Sequence, residues 1–449
     1  MTAPSDMPVL NTPPAEPHPR ISGPLPSGRW ADDRTHAHPN LAWVISAHGI
    51  LRIASGTSGI LIGLYLASLD NHGAHLSAGL VGTLSAVSFA AELFASIPMG
   101  LASDAMQPRL LMTAGAIVGA IAVFLFAVSG STSIFFLSRV LEGIGAAAIV
   151  PALLAYLTDA TDRRPALRVK AMSYFELTLL AGLALGGIVA AQLFRALNAT
   201  AFTVDCVLYL ACGLILFLSI SRRTVRHLPN PLKELKQVLR LPSLRRLAPV
   251  WLCVNAVVGL WLGPTLPFLL TGRTSSHQFL AGIYASNPAG VGWLLFGYSI
   301  VFGLGVTAWS FILPHIRLRN AMTFTIGAML PVCAGFYLLN HSGDQSAAVR
   351  WSIGAAIALL IIVESGFTPA ALAWLAGTLP AESGRGAAMG IYSALLSVGA
   401  IIGSLLAGFL GERYSIDGLL YGTVLVAIVA LIFLHWVPDL SSVREERNA

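Results

Sequence analysis

Seven ionisable side chains other than histidine stand inside long apolar stretches of this chain: Arg52, Glu92, Arg139, Glu142, Glu176, Asp205 and Glu364. A charge at the centre of an apolar helix in lipid costs at least ~2.5–3.5 kcal/mol unless it is paired or hydrated. Each must therefore face a protein interior or a water-filled cavity, where it can carry a proton or hold a charged solute. Arg139 and Glu142 are three residues apart, so they share a helix face and can pair, as a structural tie or as a coupling group. Burial favours the neutral acid and a nearby arginine favours the carboxylate, so a glutamate between the two changes protonation as its surroundings open. Glu364 is central in its stretch and lacks an ionisable neighbour in sequence, which makes it the first candidate for a coupling carboxylate. His48 precedes Arg52 by one turn and shares its face, as a hydrogen-bonded structural residue or as part of the same coupling group.

The elements that must position these groups follow from composition. The 449 residues are 55% hydrophobic and only 11% charged, with a mean hydropathy of +0.74, whereas soluble domains carry roughly 25% charged residues. Stretches of about 20 apolar residues, the length a helix needs to cross the bilayer, recur from residue 41 to 437. The short alternating segments of a membrane β-barrel do not. The sequence predicts an all-α membrane protein with twelve spans: 41–69, 77–99, 110–129, 132–157, 171–195, 199–220, 248–271, 288–312, 321–339, 350–377, 388–411 and 417–437. Residues 1–40 are Pro-rich and polar and read as a disordered tail. They lack a basic start followed by an apolar core, so the first span is expected to serve as its own insertion signal.

With the N-terminus placed in the cytoplasm, the tails and even-numbered connections hold about 21 Lys and Arg and the opposite connections about 4, with two arginines inside spans. This asymmetry predicts a multi-pass inner (plasma) membrane protein with both termini cytoplasmic. It also accounts for the net charge of +6 without invoking nucleic acid. The basic connection 221–247 separates two six-helix units, 41–220 and 248–437, and residues 438–449 form a cytoplasmic tail. Within the connection, Leu232, Leu235, Val238 and Leu239 recur at helical spacing away from Lys233, Lys236 and Arg240. It reads equally as a surface helix on anionic lipid and as a solvated linker.

Several chemistries are excluded. The lysines are Lys170, Lys233 and Lys236, none after a glycine, so there is no phosphate-binding loop for ATP. Cys206, Cys212, Cys253 and Cys333 lie far apart within spans and suggest neither zinc nor a disulfide. No hydrolytic Ser/His/Asp or zinc-binding spacing is present, so no enzyme activity, metal or cofactor is expected.

The halves repeat. "PALLAYL" (151–157) and "PAALAWL" (369–375) end the fourth and tenth spans, and Gly182-x-x-x-Gly186 and Gly399-x-x-x-Gly403 follow at the same 217–218 residue separation. Parallel repeats of this kind build secondary transporters from two rocking halves.

The segment "PMGLASDAMQPRLL" (98–111), between the second and third spans, resembles the signature loop of the major facilitator superfamily through Gly100, Asp104 and Arg109. "LSRVLEGIGAA" (137–147) is similar to that family's fourth-helix pattern at Arg139, Gly143 and Gly145. "GLALGGIVAA" (182–191) partly matches its fifth-helix antiporter motif at Gly182 and Gly186, with Gly187 where proline belongs. The resemblance implies two pseudo-symmetric six-helix bundles around a cavity lined by spans one, four, seven and ten. Arg52, Arg139, Glu142 and Glu364, with His48 beside Arg52, are then candidates for substrate or proton coupling. Asn255 and Trp261 of span seven become candidate cavity-lining residues, while Trp251 reads as an interface anchor. Gly100, Asp104 and Arg109 are implied to form a gate that bonds across to the other half, where a charge-assisted contact of roughly 1.5–3 kcal/mol shifts a two-state population tenfold or more. Glu92 and Glu176, nearer the cytoplasmic ends, read as gate-pairing or structural groups, Gly182 and Gly186 as gating glycines. Asp205, on a peripheral helix, is expected to pack within its own half.

The expected function is proton-coupled export of a small organic or amphiphilic compound by a single chain. Arg52 and Arg139 keep open uptake of an organic anion by a symporter or uniporter. A non-transporting sensor or scaffold of the same fold is the third alternative.

Overall fold

The computed structural model describes residues 40–161, 165–220, 242–273, 277–378 and 385–438, with helices and no strand among them. The first half holds α1 (Asn40–Leu69), α2 (Ala78–Ala105), α3 (Pro108–Val128), α4 (Thr132–Ala160), α5 (Pro165–Leu197) and α6 (Ala201–Ser219). The second holds α7 (Pro242–Trp261), α8 (Thr265–Thr271), α9 (Ala289–Ile312), α10 (Leu318–Asn340), α11 (Ala347–Glu364), α12 (Phe367–Thr378), α13 (Arg385–Tyr414) and α14 (Ile416–Leu434). Helices satisfy every backbone group internally, which lipid demands. Local chemistry sets their ends. Ser77 caps α2, its Oγ accepting from the Leu80 N–H at 3.2 Å, and Ser346 caps α11 by accepting from Val349 at 3.4 Å. Pro108 opens α3, where its missing N–H has no intrahelical partner to lose.

Eleven helical stretches among the described residues are long and apolar enough to cross a membrane. One of them, Ala184–Ser219, runs through both α5 and α6 across the 3-10 turn Asn198–Thr200, so the fold has the twelve crossings expected from hydropathy. Side chains on its outer surface are apolar and open; Phe311 is 73% exposed. The protein is integral to the membrane and multi-pass.

Three local expectations need correction. Residues 100–105 are not a loop: α2 continues through Gly100 and Asp104 to Ala105. A glycine costs a helix only about 1 kcal/mol. The break comes where Pro108 holds the preceding Gln107 extended (φ −65°, ψ 126°). The seventh span is two helices, α7 and α8, parted at residues 262–264, where Pro264 cannot continue the hydrogen-bond ladder. The tenth is likewise parted at Ser365 and Gly366 into α11 and α12.

Packing explains the repeat. In the first half α1 lies against α5 and α6, α3 against α4 and α6, and α2 against α4. In the second, α7 lies against α13 and α14, and α10 against α11 and α14. Any Cβ on Gly182 would come within 2.7 Å of the Arg52 carbonyl, and one on Gly186 within 2.9 Å of Gly56, so α5 and α1 touch backbone to backbone. The counterparts repeat this: Gly399 would meet Asn255 at 2.7 Å, and Gly403 sits on Ala256, placing α13 on α7. Arg52 and Asn255 thus occupy pseudo-symmetric positions. The halves meet where α2 packs on α13, α5 on α9, and α1 on α8. Gly82 lies against Gly408 at the first seam and Gly187 against Gly292 at the second, again a symmetric pair. Gly63 of α1 likewise lies against Pro264 and Pro267 of the second half.

Candidate functional site

Buried polar groups collect inside the first half. Arg52 on α1 donates from Nε to His48 Nε2 at 3.1 Å, and His48 Nδ1 lies 2.6 Å from Thr178 Oγ1 on α5. Thr178 in turn donates to the Phe175 carbonyl at 2.6 Å, and the Phe175 ring stacks on His48 at 4.3 Å. The directions are mutually consistent: a guanidinium only donates, so His48 Nε2 accepts and its Nδ1–H donates to Thr178. The imidazole is therefore the neutral Nδ1–H tautomer in this arrangement. A packed ring that accepts from one helix and donates to another fixes the Arg52 side chain against α5.

One helix away, Arg139 and Glu142 of α4 form an ion pair, with side chains 7% and 10% exposed. Ser58 Oγ on α1 donates to the other carboxylate oxygen at 2.8 Å, and Arg139 Nε donates to the Leu84 carbonyl of α2 at 3.3 Å. Both charges thus find partners on neighbouring helices, as burial requires. Gly143 allows this proximity, because any Cβ there would meet the Glu92 backbone nitrogen at 2.8 Å. Glu92 lies within electrostatic reach of Arg52 and Glu142. The sequence read it as a gate-pairing or structural group; its nearness to Arg52 and Glu142 was not visible there, because depth along a helix says nothing of neighbours on other helices.

In the second half the candidates sit around broken helices. Glu364 is the last residue of α11, at the break of the tenth span. The break frees backbone carbonyls, and Trp309 of α9 covers two of them, its indole N–H shared between Ile362 at 3.1 Å and Val363 at 3.0 Å. Ser365 Oγ also donates to Ile362 at 2.9 Å. Glu364 is half-buried, with Tyr298 and Cys333 within electrostatic reach. Trp261, at the break of span seven, donates to Thr423 Oγ1 at 2.7 Å and lies 5.7 Å from the Phe336 ring. Asn255 donates to the Trp251 carbonyl at 2.8 Å, within its own helix. Trp251 is 3% exposed and packs on Phe367 in the core. It is no interface anchor: α7 begins at Pro242, so Trp251 lies mid-helix.

Of the implied gate, the surroundings of Gly100 and the side chains of Asp104 and Glu176 lie outside the described residues. Arg109 is described and turns toward its own half, 4.6 Å over the Phe217 ring of α6. Sequence reasoning missed a different set, at the end of the bundle away from the N-terminus of α1. There Asn71 donates to the Thr271 carbonyl at 3.0 Å, Arg273 pairs with Asp70 at 3.4 Å, and Glu412 accepts from the Gly79 N–H at 3.1 Å. Nearer the middle, Ser85 and Ser404 hydrogen-bond between the halves at 3.0 Å. Asp70 and Arg273 follow symmetry-related spans one and seven, the signal that could have found them. At the same end a strap follows α8. Its Gly282 and Tyr284 N–H groups bond the α8 carbonyls of Leu269 and Leu270 at 3.0 and 2.9 Å. Gln278, Asn340 and His341 converge on buried Asp417 of α14 at 3.2, 2.8 and 2.9 Å.

The model of the Major Facilitator Superfamily matches residues 44–357 and 275–449. Multidrug resistance proteins 2 and 1 of Bacillus subtilis (strain 168) are 31% and 30% identical over 112 residues, 25% of this chain and 28% of the length of each relative. The inner membrane transport protein YajR of Escherichia coli (strain K12) is 23% identical over 82% of the chain and 78% of its own length. Among solved structures, the nucleoside transporter NupG aligns with a TM-score of 0.66 at 14% identity, covering 89% of this chain and 99% of that one. An inward-facing, unoccupied bacterial homologue of the human lysosomal transporter Spinster aligns at 0.65 and 13% identity, over 90% and 97%. Matched by the superfamily's model across nearly all of its membrane region, and folded as its transporters are, the chain belongs to the Major Facilitator Superfamily.

Proposed function

We propose that the chain is a secondary active transporter that exports a small organic or amphiphilic compound in exchange for protons by alternating access. The observation that carries this reading is the buried cluster Arg139–Glu142–Ser58, with Arg52, His48 and Glu92 beside it. A carboxylate tied at once to an arginine on its own helix and a serine on α1 has a proton-dependent grip on that helix. When Glu142 takes a proton it loses the ion pair, and α1 and α4 are freed to adjust. Glu364, at a discontinuous helix in the opposite half, is placed to carry a second proton or meet a cationic part of the cargo. The aromatic groups around Trp261 suit an amphiphilic compound. The closed seam at Asp70, Asn71 and Glu412 supports a conformation open toward the side bearing the termini, which the charge asymmetry assigns to the cytoplasm of the inner membrane. The multidrug resistance relatives support export, and the protein acts as a monomer without a cofactor.

The test is purified protein in liposomes containing a pH-sensitive dye, with ethidium as the amphiphilic probe. Ethidium added on one side should drive protons the opposite way, and Glu364→Gln should exchange more slowly. Ethidium flux without proton movement refutes the coupling. A second reading, uptake of an organic anion, is favoured by the Arg52–His48 pair, and gives proton movement in the same direction as the anion.

A further inference from the structure

Asp205, in the second turn of α6, is 0% exposed, and neither of its carboxyl oxygens has a hydrogen-bond partner among the described residues. The neighbouring pair in the same half is matched: Glu142 by Arg139 and Ser58, Arg139 also by the Leu84 carbonyl. An ionised carboxylate without donor or cation cannot be held at such a site. We infer that Asp205 is a proton-binding site, loaded in this conformation, that carries a proton through the transport cycle. This rests on the proton-exchange reading above.

Among the described residues no cation stands where it could replace the proton. On its own helix the titratable neighbours are Cys206, Tyr209 and Cys212; Tyr209, one turn on, packs against Gly119 of α3. From α4 come Glu142, whose charge acts on Asp205, and Arg139, already engaged with Glu142. From α1 comes Tyr65, whose ring meets Phe202 of α6 edge-on at 5.6 Å. The described titratable side chain of α3 is Arg109, at the far end of α6 over Phe217, and Arg195 of α5 is exposed at that helix's last turn. Two carboxyl groups in one buried compartment then share a single negative charge. While Glu142 is ionised and paired with Arg139, Asp205 keeps its proton. Neutralising Glu142 removes that opposition, and Asp205 releases its proton only once water reaches it as the helices part. The two halves of the exchange are linked without a new contact.

The first experiment needs no cargo. Infrared spectra of the wild type in lipid vesicles, labelled with ¹³C at aspartate side chains, should show a protonated-carboxyl band at neutral pH that shifts with the label. Asp205→Asn should remove it, and Glu142→Gln and Glu364→Gln should not. Absence of a label-sensitive band in the wild type overturns the proposal and requires no variant to fold. In the liposome assay Asp205→Asn should still exchange ethidium against ethidium, while ethidium-driven proton movement falls to the level of empty liposomes. An Asp205→Asn protein that moves protons like the wild type overturns the carrier role. Failure of the antiport reading itself is recognised separately: the wild type then moves ethidium without protons, whatever its infrared spectrum.

Discussion

Replacing Glu142 by glutamine tests the charged cluster most directly. The substitution keeps the side chain's size and leaves Ser58 an acceptor, but it removes the anion facing Arg139. The guanidinium, 7% exposed, retains the Leu84 carbonyl at 3.3 Å and nothing else shown for it, so it becomes a buried charge without a counter-ion. Breaking a buried pair in this way costs about 3–5 kcal/mol, because the stranded charge keeps its desolvation penalty. Removing both charges together, in Arg139→Met with Glu142→Leu, should restore most of that, since apolar replacements of buried pairs are often neutral. The assay is reversible unfolding in mixed lipid–detergent micelles, with wild type, Arg139→Met, Glu142→Leu and their double variant forming a double-mutant cycle. The coupling term should dominate, so the double variant lies well above the sum of the singles. Additive losses, or a Glu142→Gln protein within about 1 kcal/mol of wild type, would mean that the pair is hydrated and that the burial argument is wrong. The double variant, though stable, should exchange no protons in liposomes.

Three further outcomes are expected. His48→Phe keeps an aromatic ring beside Phe175 but removes the acceptor for Arg52 and the partner of Thr178; it should lower stability by about 1–3 kcal/mol, and Thr178→Val by less, in the same unfolding assay. Trp309→Phe leaves the Ile362 and Val363 carbonyls at the tenth-span break without their indole donor and should cost about 1–3 kcal/mol, with faster amide exchange measured around Ser365. Asp70→Asn removes an ion pair whose arginine is 65% exposed, so it should change stability by less than about 1 kcal/mol and shift far-end spin-label distances toward the open state only slightly, an effect that salt mimics.

What the sequence made legible was what is local along the chain. Twelve spans follow from apolar length, the repeat from two short strings at constant separation, and the Arg139–Glu142 pair from a three-residue spacing. The break at Pro264 had a visible cause, whereas Ser365–Gly366 offered only two weak helix formers amid apolar sequence. Contacts between helices were not legible. Glu92 read as a gate-pairing or structural group from its depth along α2, and its nearness to the charged cluster comes only from α4 crossing at Gly143. Arg109 was expected to reach the other half, but the helix that is near it is α6, and its guanidinium settles on Phe217. Asp70 and Arg273 lie about two hundred residues apart, and their meeting is a property of the tertiary fold alone.

The strap after α8 has a mechanical consequence. Because Gly282 and Tyr284 fasten the short helix tip to a segment that Gln278 and Asn340 anchor on Asp417, the tip is bolted to the ninth and twelfth crossings. The gap at residues 262–264 therefore serves less as a free hinge than as a fixed elbow. In the proposed transport cycle, opening at this end must break the Asn71–Thr271 hydrogen bond and the Asp70–Arg273 pair between α1 and α8, and the tip stays with the second half.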